Sequence, residues 1–207
     1  MKPFICFLFL SLAILSCQNN NSNKDNSSTS AIGWSYADSI KAEIMEAIIP
    51  TDTFYIADLV KINSPQQIQE AINLVSEKGG GTLILSNGVY NSGAIELKSK
   101  VELFLDEGTT IKFIPDLDLY PLKYTWFSGR PCMNFSSMIY ARNQSDIKIS
   151  GKGIIDGQGN NPVWKNMKYN EKADNGLLKE LNDKKIKVTN RKFGKGHSLR
   201  PDLMAFL

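Results

Sequence analysis

Four short runs of residues that favour β-strands follow one another closely in the middle of the chain. They are residues 82–85, 94–97, 101–105 and 110–114. Turn-forming residues separate them at Asn87-Gly88, Ser92-Gly93, Lys98-Ser99-Lys100 and Glu107-Gly108. Strands of four or five residues bury little surface alone, so they must stack on many others. The pattern predicts a mainly β domain, built either as a β-sandwich or as a solenoid.

An amphipathic helix is predicted immediately before these strands, over residues 65–78. Its apolar residues Ile68, Ala71, Ile72 and Val75 have helical spacing. Ser64 is placed as the N-cap, with Pro65 at the first helical position and Gly79 just beyond the end. In a solenoid this helix would cap the first coil, whose open strand edge would otherwise recruit other chains.

A weak internal repeat supports stacking of successive turns of chain. The pattern of residues 101–111 returns about 46 residues later, in residues 147–155. In a solenoid, the inward side chains of one coil stack on those of the next. The same apolar pairs and glycine turns would serve a β-sandwich, so these residues leave both architectures open.

Charge and cysteine content limit the possible functions. Lys+Arg is 24 and Asp+Glu is 21, so the formal net charge is 24 − 21 = +3. This balance is too mild to indicate nucleic acid as a partner. Cysteine occurs at positions 6, 17 and 132. Only Cys132 lies in the expected folded part, where a single thiol cannot form an internal disulfide.

The first residues predict export from the cell. One lysine is followed by an apolar run, residues 4–15, that is short for a transmembrane helix, and residues 1–16 are interpreted as a signal peptide. Ile14-Leu15-Ser16-Cys17 resembles the lipobox of bacterial lipoproteins, which predicts cleavage before Cys17 and lipidation of its thiol. Because Leu15 is unusual in a lipobox, cleavage without lipidation is the alternative.

The segment after Cys17 is interpreted as a spacer. Residues 17–33 are rich in Asn and Ser and predict a disordered polar tether. Residues 34–53 predict a short helix, packed on the domain, and a linker. A lipid anchor followed by a polar tether predicts an outer-membrane or cell-surface lipoprotein, with the periplasm as the alternative.

Several motifs resemble the amino-terminal coils of glycoside hydrolase family 28, the polygalacturonases. They include Gly79-Gly80-Gly81-Thr82-Leu83-Ile84-Leu85, Ile95-Glu96-Leu97, Gly153-Ile154-Ile155-Asp156-Gly157-Gln158-Gly159 and Arg200-Pro201-Asp202-Leu203-Met204-Ala205-Phe206. The resemblance implies a right-handed parallel β-helix, a pectate-lyase-like solenoid, over residues 54–207. It also implies hydrolysis of α-1,4-galacturonide bonds in pectin without a metal or cofactor.

The resemblance assigns no catalytic residue to this sequence. The family's acids lie in Asn-Thr-Asp and Asp-Asp segments, followed by Gly-His-Gly and Arg-Ile-Lys, and none of these segments occurs here. Asp156 is interpreted as a turn residue and His197 as a loop residue, while Asp183 and Asp202 lack the motif around them. We therefore expect an inactive fragment of a longer product, truncated at its carboxyl end.

A basic run and two alternative functions complete the expectations. The run, in a predicted insertion, is either a solvated loop or an attractor for substrate carboxylates; it comprises Lys184, Lys185, Lys187, Arg191, Lys192, Lys195 and Arg200. The alternative enzyme is a polysaccharide lyase of the same fold, which would use calcium and a Lys or Arg base. The alternative from another class is a non-catalytic surface lipoprotein that binds glycans.

Overall fold

The computed structural model describes residues 27–207, and the chain divides into two units, Met1–Met45 and Glu46–Leu207. The helices are α1 Ser27–Glu43, α2 Ile56–Leu59, α3 Gln67–Glu77 and α4 Pro162–Asp183. The strands are β1 Thr53–Tyr55, β2 Gly81–Leu85, β3 Gly88–Ser92, β4 Ile95–Glu96, β5 Val101–Leu105, β6 Thr109–Phe113, β7 Leu122–Phe127, β8 Arg130–Phe135, β9 Ile139–Ala141, β10 Lys148–Gly151, β11 Ile154–Asp156, β12 Lys192–Phe193 and β13 Met204–Phe206.

The described part of the first unit is the helix α1 with residues 44–45, and it corrects the predicted extent of the tether. The tether was expected to extend to residue 33, yet residues 27–33 belong to α1. The short helix predicted within residues 34–53 corresponds to the last part of α1, which ends at Glu43. In the second unit, the backbone N–H of Ile48 donates to Asp146 Oδ1 over 2.9 Å, and Pro50 disfavours a helical Ile49. The signal peptide and Cys17 lie outside the described residues.

The second unit is mainly β and its strands form four small sheets. The first sheet has the order β1-β2-β5-β10, the second β11-β6-β3, the third β13-β9-β4 and the fourth β12-β8-β7. Every pairing is parallel except that of β7 with β8. Since β-sandwiches are built from antiparallel sheets, this pairing disfavours the sandwich alternative.

The chain visits the sheets in a fixed order. From β2 it passes through the first, second and third sheets, and from β5 and again from β10 it repeats this course with the fourth sheet inserted before the third. Glu102 pairs with Lys148, an offset of 148 − 102 = 46 residues. The internal repeat predicted from sequence is thus confirmed as strand pairing, and the four predicted strands match β2, β4, β5 and β6 to within about one residue.

The predicted amphipathic helix is confirmed, but it begins later than expected. Residues 65–66 form a turn and α3 starts at Gln67. The Pro65 carbonyl accepts the Gly93 N–H over 2.9 Å instead of a helical N–H, while Ser64 Oγ accepts the Gln66 N–H. The apolar face of α3 is fully buried, as the sequence spacing required.

Glycines 79–81 lead from the end of α3 into β2. All three have positive φ angles, +103°, +105° and +136°. A Cβ added at Gly80 would lie 2.3 Å from the Lys100 carbonyl oxygen, and one at Gly81 would lie 2.5 Å from that of Asp52. Only glycine therefore permits this close approach of neighbouring chain segments.

Two apolar clusters hold the second unit together. The larger is formed by α3 and the inward side chains of the first three sheets, including Ile72, Leu83, Leu103 and Ile139. The smaller consists of Cys132, Leu178, Phe193 and Leu199, and it joins α4 to β8 and β12. The apolar runs of the sequence therefore provide the core and leave the alternate side chains of each strand outside.

Candidate functional site

The outer face of the third sheet carries a column of side chains that do not belong to the core. Glu96 of β4 is in register with Tyr140 of β9, which is in register with Ala205 of β13. The inward neighbours Ile95 and Ile139 are fully buried. Because side chains alternate along a strand, the column faces away from these residues.

The β7–β8 hairpin forms one wall beside this column. Its two-residue turn, Ser128-Gly129, has φ angles of +48° and +74°, which is the conformation of a type I′ hairpin turn. The hairpin brings Lys123 and Tyr124 beside Tyr140. Together with Arg142 they line a cavity of about 160 Å³, here named the basic–aromatic groove and defined by Glu96, Lys123, Tyr124, Ser136, Tyr140 and Arg142.

Glu96 is the anionic centre of the basic–aromatic groove. Its carboxylate lies 3.3 Å from Lys98 Nζ and 3.8 Å from Lys123 Nζ. The Tyr140 hydroxyl donates to Glu96 Oε2 over 3.4 Å. Burial, then the charge of Glu96 and this hydrogen bond, raise the pKa of Tyr140, so the phenol stays protonated as a donor.

Cations and aromatic rings are paired around the carboxylate. Lys123 Nζ lies 5.5 Å from the centre of the Tyr140 ring, and the Arg142 guanidinium lies 4.4 Å from the centre of the Tyr124 ring. The buried Ser136 hydroxyl has no hydrogen-bond partner among residues 27–207. The groove therefore offers flat ring faces, hydroxyl groups and an excess of positive charge, which suits a polar ligand bearing carboxylates.

His197 occupies a loop, as the sequence predicted, and its partner is a carboxylate on α4. His197 Nδ1 lies 2.7 Å from Asp174 Oδ1, and the Ser198 backbone N–H donates to Asp174 Oδ2. The His197 ring also packs edge-on against Phe193, with centroids 5.1 Å apart. This arrangement fastens the loop to α4, and the pair lies apart from the residues that line the groove.

The three aspartates considered from sequence lie in different places. Asp156 Oδ1 accepts the Gln158 N–H over 2.8 Å, which is the turn role predicted for it. Asp183 is exposed at the end of α4, where the hydrogen bond from Lys179 lowers its pKa. Partial burial raises the pKa of Asp202, and the positive charge of Arg200 opposes this rise. The residue as a whole is exposed, so the rise due to burial is limited.

Three of the seven residues of the predicted basic run, Lys184, Arg191 and Lys195, have internal partners. Arg191 is buried and donates to the carbonyl oxygens of Ile186 and Pro131 and to Asn182 Oδ1. Lys184 pairs with Glu180, and Lys195 pairs with Asp118. The hypothesis that this run attracts substrate is therefore wrong for Arg191, whose guanidinium stabilises the end of α4.

The described residues offer few other chemical groups. Cys132 is a buried free thiol, and burial raises its pKa to about 11 while Arg191 opposes the shift, so it is a poor nucleophile. Within residues 27–207, no cluster of three or more His, Cys, Asp or Glu side chains is arranged to hold a metal ion. No helix in that range has the length and apolar character to cross a bilayer.

Solved structures reveal what this arrangement resembles. An exopolygalacturonase from Thermotoga maritima is 33% identical with a TM-score of 0.70, and the match covers 79% of this chain and 40% of that one. The chain resembles the family 28 polygalacturonases. A family 28 exopolygalacturonase from Yersinia enterocolitica is 29% identical with a TM-score of 0.44, and the match covers 52% of this chain and 21% of that one. No family model and no curated protein matches the chain.

The resemblance predicted from the motifs is therefore confirmed, over part of the family's length. This chain spans two fifths of the Thermotoga protein. Sequence reasoning did not find the basic–aromatic groove. The available signal was the alternation of Lys123 and Thr125 with Tyr124 and Trp126, followed after β8 by Tyr140 and Arg142.

Proposed function

We propose that residues 54–207 are the amino-terminal coils of a right-handed parallel β-helix. The recurring order of the sheets and the parallel register of β2, β5 and β10 support this fold. In this proposal α3 is the cap, since its buried face packs against β2, β4 and β5. Each sheet is then one side of the coil stack, and the basic–aromatic groove lies on the outer face of one side.

The function that fits this site is binding of a galacturonan-type pectin chain, in a glycoside hydrolase that cuts α-1,4-galacturonide bonds. The observation that carries the proposal is the pairing of Lys123 and Arg142 with the rings of Tyr140 and Tyr124, in a chain 33% identical to an exopolygalacturonase. Aromatic rings can stack on sugar rings, and the cations can pair with uronate carboxylates.

Hydrolysis requires carboxyl groups that this sequence does not supply in the family's motifs. An inverting hydrolase uses one acid to protonate the glycosidic oxygen and another carboxylate to activate water, held roughly 6.5–9.5 Å apart. Glu96 is engaged by Lys98, Lys123 and Tyr140, so it is a positioning group for the cations. The 207 residues are proposed to bind galacturonan without cutting it.

The proposed setting is the surface of a membrane. Cys17 would carry the lipid, and residues after it would hold the domain clear of the headgroups. Growth with a labelled fatty acid tests this: label should enter the wild-type chain and be absent from Cys17→Ser. Label in the variant would contradict the proposal.

The binding proposal is tested by calorimetry with trigalacturonate at low and high salt. Lys123→Ala and Arg142→Ala should each weaken binding about fivefold and reduce its salt dependence, because each removes one charge-assisted contact. Lys152→Ala is the matched control, since its partner Glu107 is exposed and lies outside the groove. Unchanged affinity in both groove variants would contradict the proposal.

A non-catalytic glycan-binding role is the second candidate, favoured by the groove in a sequence without the family's aspartate segments. Measuring reducing-sugar release from polygalacturonate tests whether the 207-residue chain hydrolyses this polymer. The purified chain should release none, and release above a boiled control would overturn the proposed lack of hydrolysis.

A further inference from the structure

A second cavity lies between two segments of the last turn of the chain. Its volume is about 310 Å³, and residues 156–159, which follow β11, and residues 200–203, which precede β13, form its sides. Met138 and Trp164 also line it. None of its lining residues lines the basic–aromatic groove, so the two cavities are separate sites.

Trp164, which lines this cavity, carries a buried polar group without a partner among the described residues. Its side chain is only 1% exposed, and its ring packs edge-on against Tyr120 with centroids 5.5 Å apart. The indole Nε1–H has no hydrogen-bond partner among residues 27–207. A buried donor without an acceptor is costly, so an acceptor supplied by a ligand would stabilise this site.

Other polar groups around the cavity also have unused bonding capacity. Within the described part of the chain, the Asp202 carboxylate and the Arg200 guanidinium form neither an ion pair nor a side-chain hydrogen bond. Asp156 uses Oδ1 for the Gln158 N–H, which leaves Oδ2 free. Gln158 donates through Nε2 to the Phe113 carbonyl over 2.7 Å, which leaves its Oε1 as an acceptor.

This combination of groups selects one class of ligand. Asp156 and Asp202 outnumber Arg200, so the site disfavours an anion such as a uronate. Hydroxyl groups both donate and accept, and they can therefore use the carboxylates, the Gln158 oxygen, the indole N–H and the guanidinium together. Met138 supplies an apolar surface for the C–H face of a ring.

We propose that this cavity binds a neutral sugar residue through its hydroxyl groups. The site would recognise an uncharged unit of a glycan whose acidic units occupy the basic–aromatic groove. That pairing of roles rests on the proposed function of the groove, whereas binding of the neutral sugar in this cavity does not.

The test is ligand-detected NMR titration of the full chain with methyl β-galactoside and methyl α-arabinofuranoside, with trigalacturonate measured in parallel. At least one neutral glycoside should bind saturably. Trp164→Phe removes the N–H and keeps a ring, and Asp202→Asn keeps the side-chain shape; each should weaken that binding about fivefold to tenfold. Both variants should leave trigalacturonate binding unchanged.

Lys123→Ala is the matched control, because it alters the groove and leaves the second cavity intact. It should weaken trigalacturonate binding and leave the neutral glycoside unaffected. Because Asp202 is exposed, Asp202→Asn is expected to fold. This variant therefore tests the proposal even if Trp164→Phe unfolds. The proposal is overturned if the wild type shows no saturable binding of a neutral glycoside. It is also overturned if Asp202→Asn binds the neutral glycoside as tightly as the wild type does, or if Lys123→Ala loses binding of the neutral glycoside. If the wild type binds a neutral glycoside but not trigalacturonate, only the proposed function of the basic–aromatic groove is contradicted.

Discussion

Glu102 joins three neighbouring strands of the first sheet through one side chain. It accepts hydrogen bonds from Thr82 Oγ1 on β2 and Ser150 Oγ on β10, and its carboxylate lies 3.1 Å from Lys148 Nζ. Burial raises the pKa of Glu102, but the hydrogen bonds from Ser150, Lys148 and Thr82 and the charge of Lys148 together hold it below its ordinary value. The ionised carboxylate therefore stabilises the folded state.

We expect Glu102→Gln to lower the free energy of unfolding at pH 7 by about 1–2 kcal/mol. Because the folded-state pKa is lowered, the stabilisation is present above the unfolded pKa and is lost as pH falls through the folded value. The difference between wild type and variant should therefore shrink between about pH 5 and pH 3 in urea unfolding experiments. Glu107→Gln is the control, since the Lys152–Glu107 pair is exposed and should contribute little.

Two glycines of different elements should respond to alanine in opposite ways. Gly151 ends β10 with φ +99°, and a Cβ there would lie 2.0 Å from the Leu105 carbonyl oxygen. Gly176 lies within α4, where a Cβ would meet nothing within 4 Å. We expect Gly151→Ala to destabilise by ~3 kcal/mol and Gly176→Ala to stabilise by ~1 kcal/mol in thermal unfolding. A stable Gly151→Ala variant would show that the first sheet tolerates a wider spacing at this point.

Some helices and strands are determined by their local sequence, whereas others depend on contacts with segments that are distant in sequence. The strands β2, β4, β5 and β6 and the body of α3 follow from apolar spacing and turn residues, so they were predictable, whereas β3 was missed between two predicted turns. The start of α3 was missed because the Pro65 carbonyl bonds to Gly93, which is distant in sequence. The antiparallel β7–β8 hairpin was missed because Ser128-Gly129 lies among residues that were assigned to a continuing coil.

At the largest scale, the core of the second unit depends on strands that are paired on both sides, which are β2, β5, β6, β8 and β9. Leu103 of β5 pairs with Leu83 on one side and Ile149 on the other, and it is fully buried. Leu103→Ala should therefore cost ~3–4 kcal/mol of unfolding free energy. Ile149→Ala should cost less, since Ile149 is half-buried, and chemical denaturation of both variants gives the comparison. Equal losses would contradict this view of the core.

The candidate site was less predictable than the fold, and register explains the difference. Glu96 and Tyr140 are 44 residues apart, yet strand pairing places them side by side. Lys123 joins them only through the hairpin, and no local pattern indicates which residues of different strands share a face. The chemistry of each residue was visible in the sequence, but their proximity required the pairing of β4 with β9.

The separation of inward and outward side chains along the third sheet has an evolutionary consequence. Ile95 and Ile139 are buried in the core, whereas Glu96, Tyr140 and Ala205 line the groove. Mutation at the outward positions can therefore alter the ligand preference of the groove while the inward side chains keep the fold. If the proposed glycan binding holds, descendants of one such scaffold could change ligand by exchanging those few positions and the hairpin beside them.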